Sequence, residues 1–211
     1  EHKIRKRHFA TTIVDLKNHR VYDIIDGKSE AEIGARIRSY SGRMNVKVVC
    51  MDLSSPYRSL VQRCFPNAKI VADRFHVIKL VLSTFMDFCR DMQPNIKWKR
   101  PITGALRTHA ANLKDETKPM LQAFLAENPI IASAYDFKER LCKLLNNKKK
   151  TRKQCLLLIR ELKHYMELMR TESTHHFHTL AATLSKWFEP IIRMWRFSKN
   201  NGITEGFHRK I

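Results

Sequence analysis

Two short apolar runs set the tightest limit on how this chain can fold. VKVVCM (46–51) and KIVAD (69–73) are continuous in hydrophobic residues, the pattern of strands buried on both faces. Between them Pro56 opens a helix whose Leu60, Val61 and Cys64 share one face, and Pro66 stops it. Upstream, HFATTIVDL (8–16) and RVYDIID (20–26) read as a β-hairpin turning at Lys17-Asn18-His19 and closed at Gly27. Ser29 and Glu32 stand at capping-box spacing ahead of a helix carrying Ile33 and Ile37 and ending at Gly42. The order β-β-α-β-α-β is a mixed α/β pattern.

From His76 onward the period changes. Ile78, Val81, Phe85, Phe88, Cys89 and Met92 recur at helical spacing until Pro94, and further helices are expected over 100–113, 117–127, 130–146, 151–171 and 174–197. The clearest carries Cys155, Leu158, Ile159, Leu162, Tyr165, Met166 and Met169 on one stripe. No strand signal returns. NNGITEGFHRKI (200–211) breaks at Gly202 and starts a new helix near Ile203 to Glu205.

Charge narrows the class of partner. The 211 residues hold 40 Lys and Arg against 20 acids, a net +20 at neutral pH. Such an excess disfavours self-association and attracts polyanions, nucleic-acid phosphates above all. An acidic lipid surface fits less well, because no helix sets a clean apolar face against a wholly basic one. Five cysteines without CxxC spacing read as reduced core thiols, which suits the cytoplasm. No run of 18 apolar residues and no signal peptide is present. The chain opens on Glu1 rather than Met and stops inside a starting helix, so it reads as a piece cut at both ends.

Both buried runs end on an aspartate, Asp52 and Asp73, with His76 three residues after the second. A carboxylate at the C-terminal end of a buried strand points into the crevice where open α/β sheets bind ligands. Residue chemistry alone leaves Asp52 open between a metal-binding or catalytic role and a helix cap. A capping aspartate and a packed histidine is likewise the plain structural alternative for Asp73 and His76.

The segment DLSSPYRSLVQRCFPNAKIVADRFHVIK (52–79) resembles the core motif of insertion-sequence transposases of the ISL-three type. That pattern is a strand end of Asp-Met-Ser kind, a helix, Phe-Pro-Asn-Ala, then Asp-Arg-Phe-His-Val. ENPIIASAYDFKERL (127–141) is similar to the family's helical insertion, and NNGITEGFHRKI to its Asn-Gly-x-x-Glu-Gly-x-Asn-x-x-Ile-Lys motif. Nearly the whole chain is covered.

The resemblance implies an α/β fold: an RNase H-like mixed sheet, truncated at both ends and interrupted by a large all-α insertion. Residues 1–76 would form the core with its first strand incomplete, 77–199 the insertion, and 200–211 the start of the catalytic helix. It implies DDE chemistry, in which three carboxylates hold two divalent ions, Mg²⁺ or Mn²⁺. Asp52 takes the place of the second acid and Glu205 that of the third, both catalytic and metal-binding. Asp73 and His76 match a D-x-x-H element that supports the site. The first acid would lie immediately before Glu1. Asp15 also ends a strand, but it stands at the hairpin turn, where aspartates serve the turn itself. With one carboxylate missing, this chain alone is expected to be inactive. The implied partners are DNA, as transposon ends and target, and a homo-oligomer, with no membrane; the implied place is the bacterial cytoplasm, at the nucleoid.

Basic clusters mark where phosphates would lie. Lys148, Lys149, Lys150, Arg152 and Lys153 flank a helix start, a place to meet phosphates rather than bases. Lys97, Lys99, Arg100 and Arg107 surround Trp98, a grouping able to stack an unpaired base, though a tryptophan so placed is more often a packing residue. His208, Arg209 and Lys210 follow Glu205 by one turn. His175, His176 and His178 lack a cysteine or acid nearby to complete a zinc set. No phosphate-binding GxxxxGK[ST] loop or GxSxG elbow occurs. The alternatives to a transposase are a non-catalytic basic DNA-binding remnant, a structure-selective nuclease on the same fold, and a helical RNA-binding protein.

Overall fold

The computed structural model describes residues 10–27, 29–98, 100–171 and 174–197, excepting the side chains of Lys97 and Trp98. β1 (Ala10–Asp15) and β2 (Arg20–Asp26) form the hairpin, antiparallel, with an irregularity between Ile13 and Val14. Ser29 caps α1 (Glu30–Arg38) through the capping box with Glu32. Gly27 is needed at the corner: its φ is 101°, and a Cβ there would run into the Glu32 carboxylate.

β3 (Val48–Met51), α2 (Ser55–Cys64) and β4 (Lys69–Ala72) make a βαβ unit whose strands pair in parallel, Val48 with Lys69 through Met51 with Ala72. Among the described residues, the hairpin and this parallel pair are separate two-stranded sheets. The chain is mixed α/β and mostly helical beyond them: α3 (Arg74–Met92), α4 (Arg100–Arg107), α5 (Lys118–Glu127), α6 (Pro129–Leu145), α7 (Arg152–Thr171), α8 (His175–Lys186) and α9 (Phe188–Arg193).

Two of the expected helices are shorter than their sequence pattern. The helix expected over 100–113 stops at Arg107 and continues as 3-10 turns, because His109 is extended and its ring Nδ1 accepts the Ala111 N–H. The helix expected over 174–197 breaks at Trp187. Pro190 has no N–H to give the Lys186 carbonyl four residues back, and that carbonyl instead accepts from Arg58 Nη1 at 2.9 Å.

Two cores result. A small one joins Ile25, Ile33, Ile37, Leu60 and Cys64 between the hairpin, α1 and α2. A large one runs without a break from Ile70, Val71 and Ala72 of β4 through α3 into the helices, where Trp187 and Trp195 are fully enclosed. α9 lies against β4, and Arg193 Nη1 donates to the Ile70 carbonyl at 3.3 Å. All five cysteines are free thiols, four of them buried. None of the described helices is long and apolar enough to cross a membrane.

Candidate functional site

The parallel register decides where the acids go. Met51 pairs with Ala72, so the next residues, Asp52 and Asp73, emerge side by side, and the Asp73 N–H donates to the Met51 carbonyl at 2.8 Å. Asp73 then caps α3, Oδ1 accepting the Phe75 N–H at 3.3 Å. One turn on, His76 directs Nδ1 at both carboxylates, 2.9 Å from Asp73 Oδ2 and 3.1 Å from Asp52 Oδ1. Both carboxylate oxygens thus lie within hydrogen-bonding reach of one ring nitrogen. Phe75, half exposed, stands edge-on to the imidazole with ring centres 5.4 Å apart.

The two acids differ in access. Asp73 is 1% exposed, whereas the Asp52 side chain is 47% exposed. Beneath them, burial followed by the charges of Asp73 and Asp52 pushes the Cys50 thiol up to about 12, so it stays protonated. One ligand atom from each of Asp52, Asp73 and His76 falls within 4.8 Å of the others, and among the described residues this is the group so spaced. Two carboxylates and one imidazole suit a hard or borderline divalent cation such as Mg²⁺ or Mn²⁺. Within the set, exposed Asp52 is the ligand open to solvent, and the Asp73–His76 pair orients it.

Sequence did not single out Arg74, which follows Asp73 and is 7% exposed. Its Nε donates to the Leu145 carbonyl at 3.3 Å, and Nη2 to those of Asn147 at 2.9 Å and Met194 at 2.6 Å. Burial draws its pKa below the ordinary arginine value. A cation in the first turn of a helix opposes the helix dipole, and that misfit was the available signal that Arg74 serves something outside α3.

The remaining sequence candidates scatter. Lys148, Lys149 and Lys150 form the turn between α6 and α7, and Arg152 and Lys153 are exposed in the first turn of α7. Arg100 opens α4 and Arg107 closes it, both exposed. Glu205, His208, Arg209, Lys210 and Lys99 lie outside the described residues, as do the side chains of Lys97 and Trp98. In the histidine group, His176 Nε2 meets Asp91 Oδ2 at 2.7 Å. Asp15 serves the turn: Oδ1 accepts the N–H groups of Lys17 at 2.9 Å and Asn18 at 3.1 Å.

Comparison with known proteins gives these residues a context. The chain is 23% identical over 222 aligned residues to the transposase for insertion sequence element IS1001 of Bordetella parapertussis, covering all of this chain and 53% of that protein. It thus spans about half the length of this curated relative. No solved structure matches it. The ISL3-type DDE model, described as a transposase, matches residues 1–211, and the chain therefore belongs to the ISL3 family of DDE transposases.

Proposed function

We propose that this chain is part of the catalytic region of a transposase that cuts DNA and rejoins its phosphodiester bonds by in-line displacement, with Asp52 as a metal-binding carboxylate. The observation that carries this is the half-exposed Asp52 at the mouth of the parallel pair, its Oδ1 held by His76 while His76 is itself held by buried Asp73. Asp52 is the second acid of the set and Glu205 the third, brought in by the helix that follows the all-α insertion. The fold in this proposal is an RNase H-like sheet in 1–76, an insertion in 77–199 and the catalytic helix from 200. Two Mg²⁺ or Mn²⁺ ions, when bound, supply an activated water or 3′-hydroxyl and neutralise the leaving oxygen.

The chain's own residues bind and orient. Asp52 presents an oxygen at a fixed place because its other contacts are set by the strand register and by His76. Asp73 holds the His76 ring in place through Nδ1. The basic turn at Lys148–Lys150 and the exposed Arg152, Lys153 and Arg100 meet phosphates flanking the reacting one, with His208, Arg209 and Lys210 near Glu205. Transposon ends and target DNA are the substrates, handled by a homo-oligomer at the bacterial nucleoid.

In the full-length protein with Mn²⁺ and a donor DNA bearing its terminal repeats, Asp52→Asn should abolish end cleavage and weaken Mn²⁺ binding while DNA retention persists. Cleavage that survives Asp52→Asn would remove Asp52 as the metal-binding acid, whereas DNA retention with no cleavage by the parent protein would favour the runner-up, a basic DNA-binding protein without chemistry, for which the net charge of +20 is the supporting observation. Cleavage without strand joining would mark a nuclease on the same fold.

A further inference from the structure

Carboxylates repel a polyanion, so a site built on Asp52 and Asp73 needs fixed positive charge along the path of the DNA. We propose that Arg74 is a positioning residue that supplies it indirectly, by locking the α6–α7 turn so that Lys148 and Lys149 grip a phosphate of the bound DNA. This rests on Asp52 being a metal-binding carboxylate of a transposase.

The geometry is specific to a guanidinium. Leu145 is the last residue of α6 and Met194 the cap of α9, and helix ends leave carbonyls without intrahelical partners. Arg74 satisfies both, together with the Asn147 carbonyl in the turn, through three bonds from one planar fork. A buried cation is costly unless its donors are used, and here they are spent on backbone at the far end of the helical region rather than on its own helix.

The turn is pinned at both ends. Asn147 is held by Arg74, and its side chain donates to the Leu144 carbonyl at 2.9 Å; the Lys150 N–H donates to the Trp195 carbonyl at 2.9 Å. Thr151 and Gln154 then cap α7 reciprocally. Between the pins, Lys148 and Lys149 are exposed, and Lys149 is held at a φ of 52°, a left-handed conformation that a residue with a Cβ disfavours. The turn's backbone is thus tied by one side chain to Arg74, the residue after Asp73, and its two lysines stand between two backbone pins.

A double-mutant cycle in the full-length transposase tests this, read as the single-turnover rate of transposon-end cleavage in Mn²⁺ and as the salt dependence of binding to the end DNA. Lys148→Ala with Lys149→Ala should slow cleavage by about 10–100-fold, the scale of a misplaced substrate. The same change should flatten the logarithmic salt slope by about 0.9 for each phosphate no longer neutralised. In an Arg74→Met background the lysine changes should cost less than about twofold more, because contacting groups are coupled rather than additive. A full multiplicative loss, or no effect of the lysine changes in the parent, overturns the proposal. Should Arg74→Met fail to accumulate folded, Arg74→Lys carries the cycle, since an ammonium keeps the charge but cannot span three carbonyls. Hydrogen exchange at the Lys150 N–H should then accelerate while α3 stays protected, and unchanged protection at Lys150 counts against the lock. Asp52→Asn separates the two levels: if it abolishes cleavage while the cycle is multiplicative, only the role of Arg74 falls, and if cleavage persists the metal-site assignment falls first.

Discussion

Asp15 and Asp52 both end a strand, yet they do different work. Asp15 closes β1 of an antiparallel hairpin, where the chain reverses at once and the carboxylate is taken up by the N–H groups of Lys17 and Asn18 and the Asn18 amide. Asp52 closes β3 of a parallel pair, where the chain must leave through α2 before β4 returns alongside. Parallel strands end on the same side, so the residues after them meet, and Asp73 arrives next to Asp52 with His76 behind. A hairpin spends its strand-end acid on its own turn; a βαβ unit brings its two strand-end acids together at one histidine.

The largest expected effect that could break this contrast is on chemistry. Asp52→Asn in the full-length transposase should lower end cleavage by about a thousandfold, since a metal ligand is worth several kcal/mol of transition-state stabilisation. Asp15→Asn, measured in the same assay, should leave the rate unchanged, and a comparable loss there would erase the distinction. Stability should divide the two regions as well. Ile70→Ala, in buried β4, should cost about 2–5 kcal/mol in denaturant unfolding, whereas Ile24→Ala, 49% exposed on β2, should cost under about 1 kcal/mol.

His76→Ala is expected to reduce Mn²⁺ affinity and cleavage by about 10–100-fold without matching Asp52→Asn, the scale of removing a group that orients a ligand. Equal losses for the two would make His76 a ligand in its own right. The smallest effect concerns pH. The Asn18 side chain, then its N–H and that of Lys17, hold the Asp15 carboxyl below its ordinary value of 3.8. A lowered folded value stabilises the ionised form, so this contribution is present above 3.8 and fades as pH falls through the folded value. The melting-temperature gap between the parent and Asp15→Asn should be small, greatest above about pH 4, and closed on further acidification.

Much of the fold was legible because its signals are local. The capping box at Ser29 and Glu32, the two parallel strands, the hairpin turn and most of the helices follow from spacing and from residues that tolerate few other conformations, although β3 is only partly buried where its apolar run implied full burial. The helix break at Trp187 was visible in principle through Pro190, but its consequence was not, because the freed Lys186 carbonyl is claimed by Arg58, 128 residues away. Asp52, Asp73 and His76 were all marked from sequence and motif resemblance, although nothing in the spacing stated that one imidazole nitrogen would face both carboxylates.

By itself, the sequence determined which residues form strands and helices, where most of them stop, the large excess of positive charge, and which family pattern it carries. Only the tertiary structure decided that Asp52 and Asp73 share one histidine and that Arg74 reaches across to Leu145, Asn147 and Met194. Propensity and capping are written within a few residues, whereas strand register and the partners of a buried guanidinium depend on which distant backbone happens to pack there.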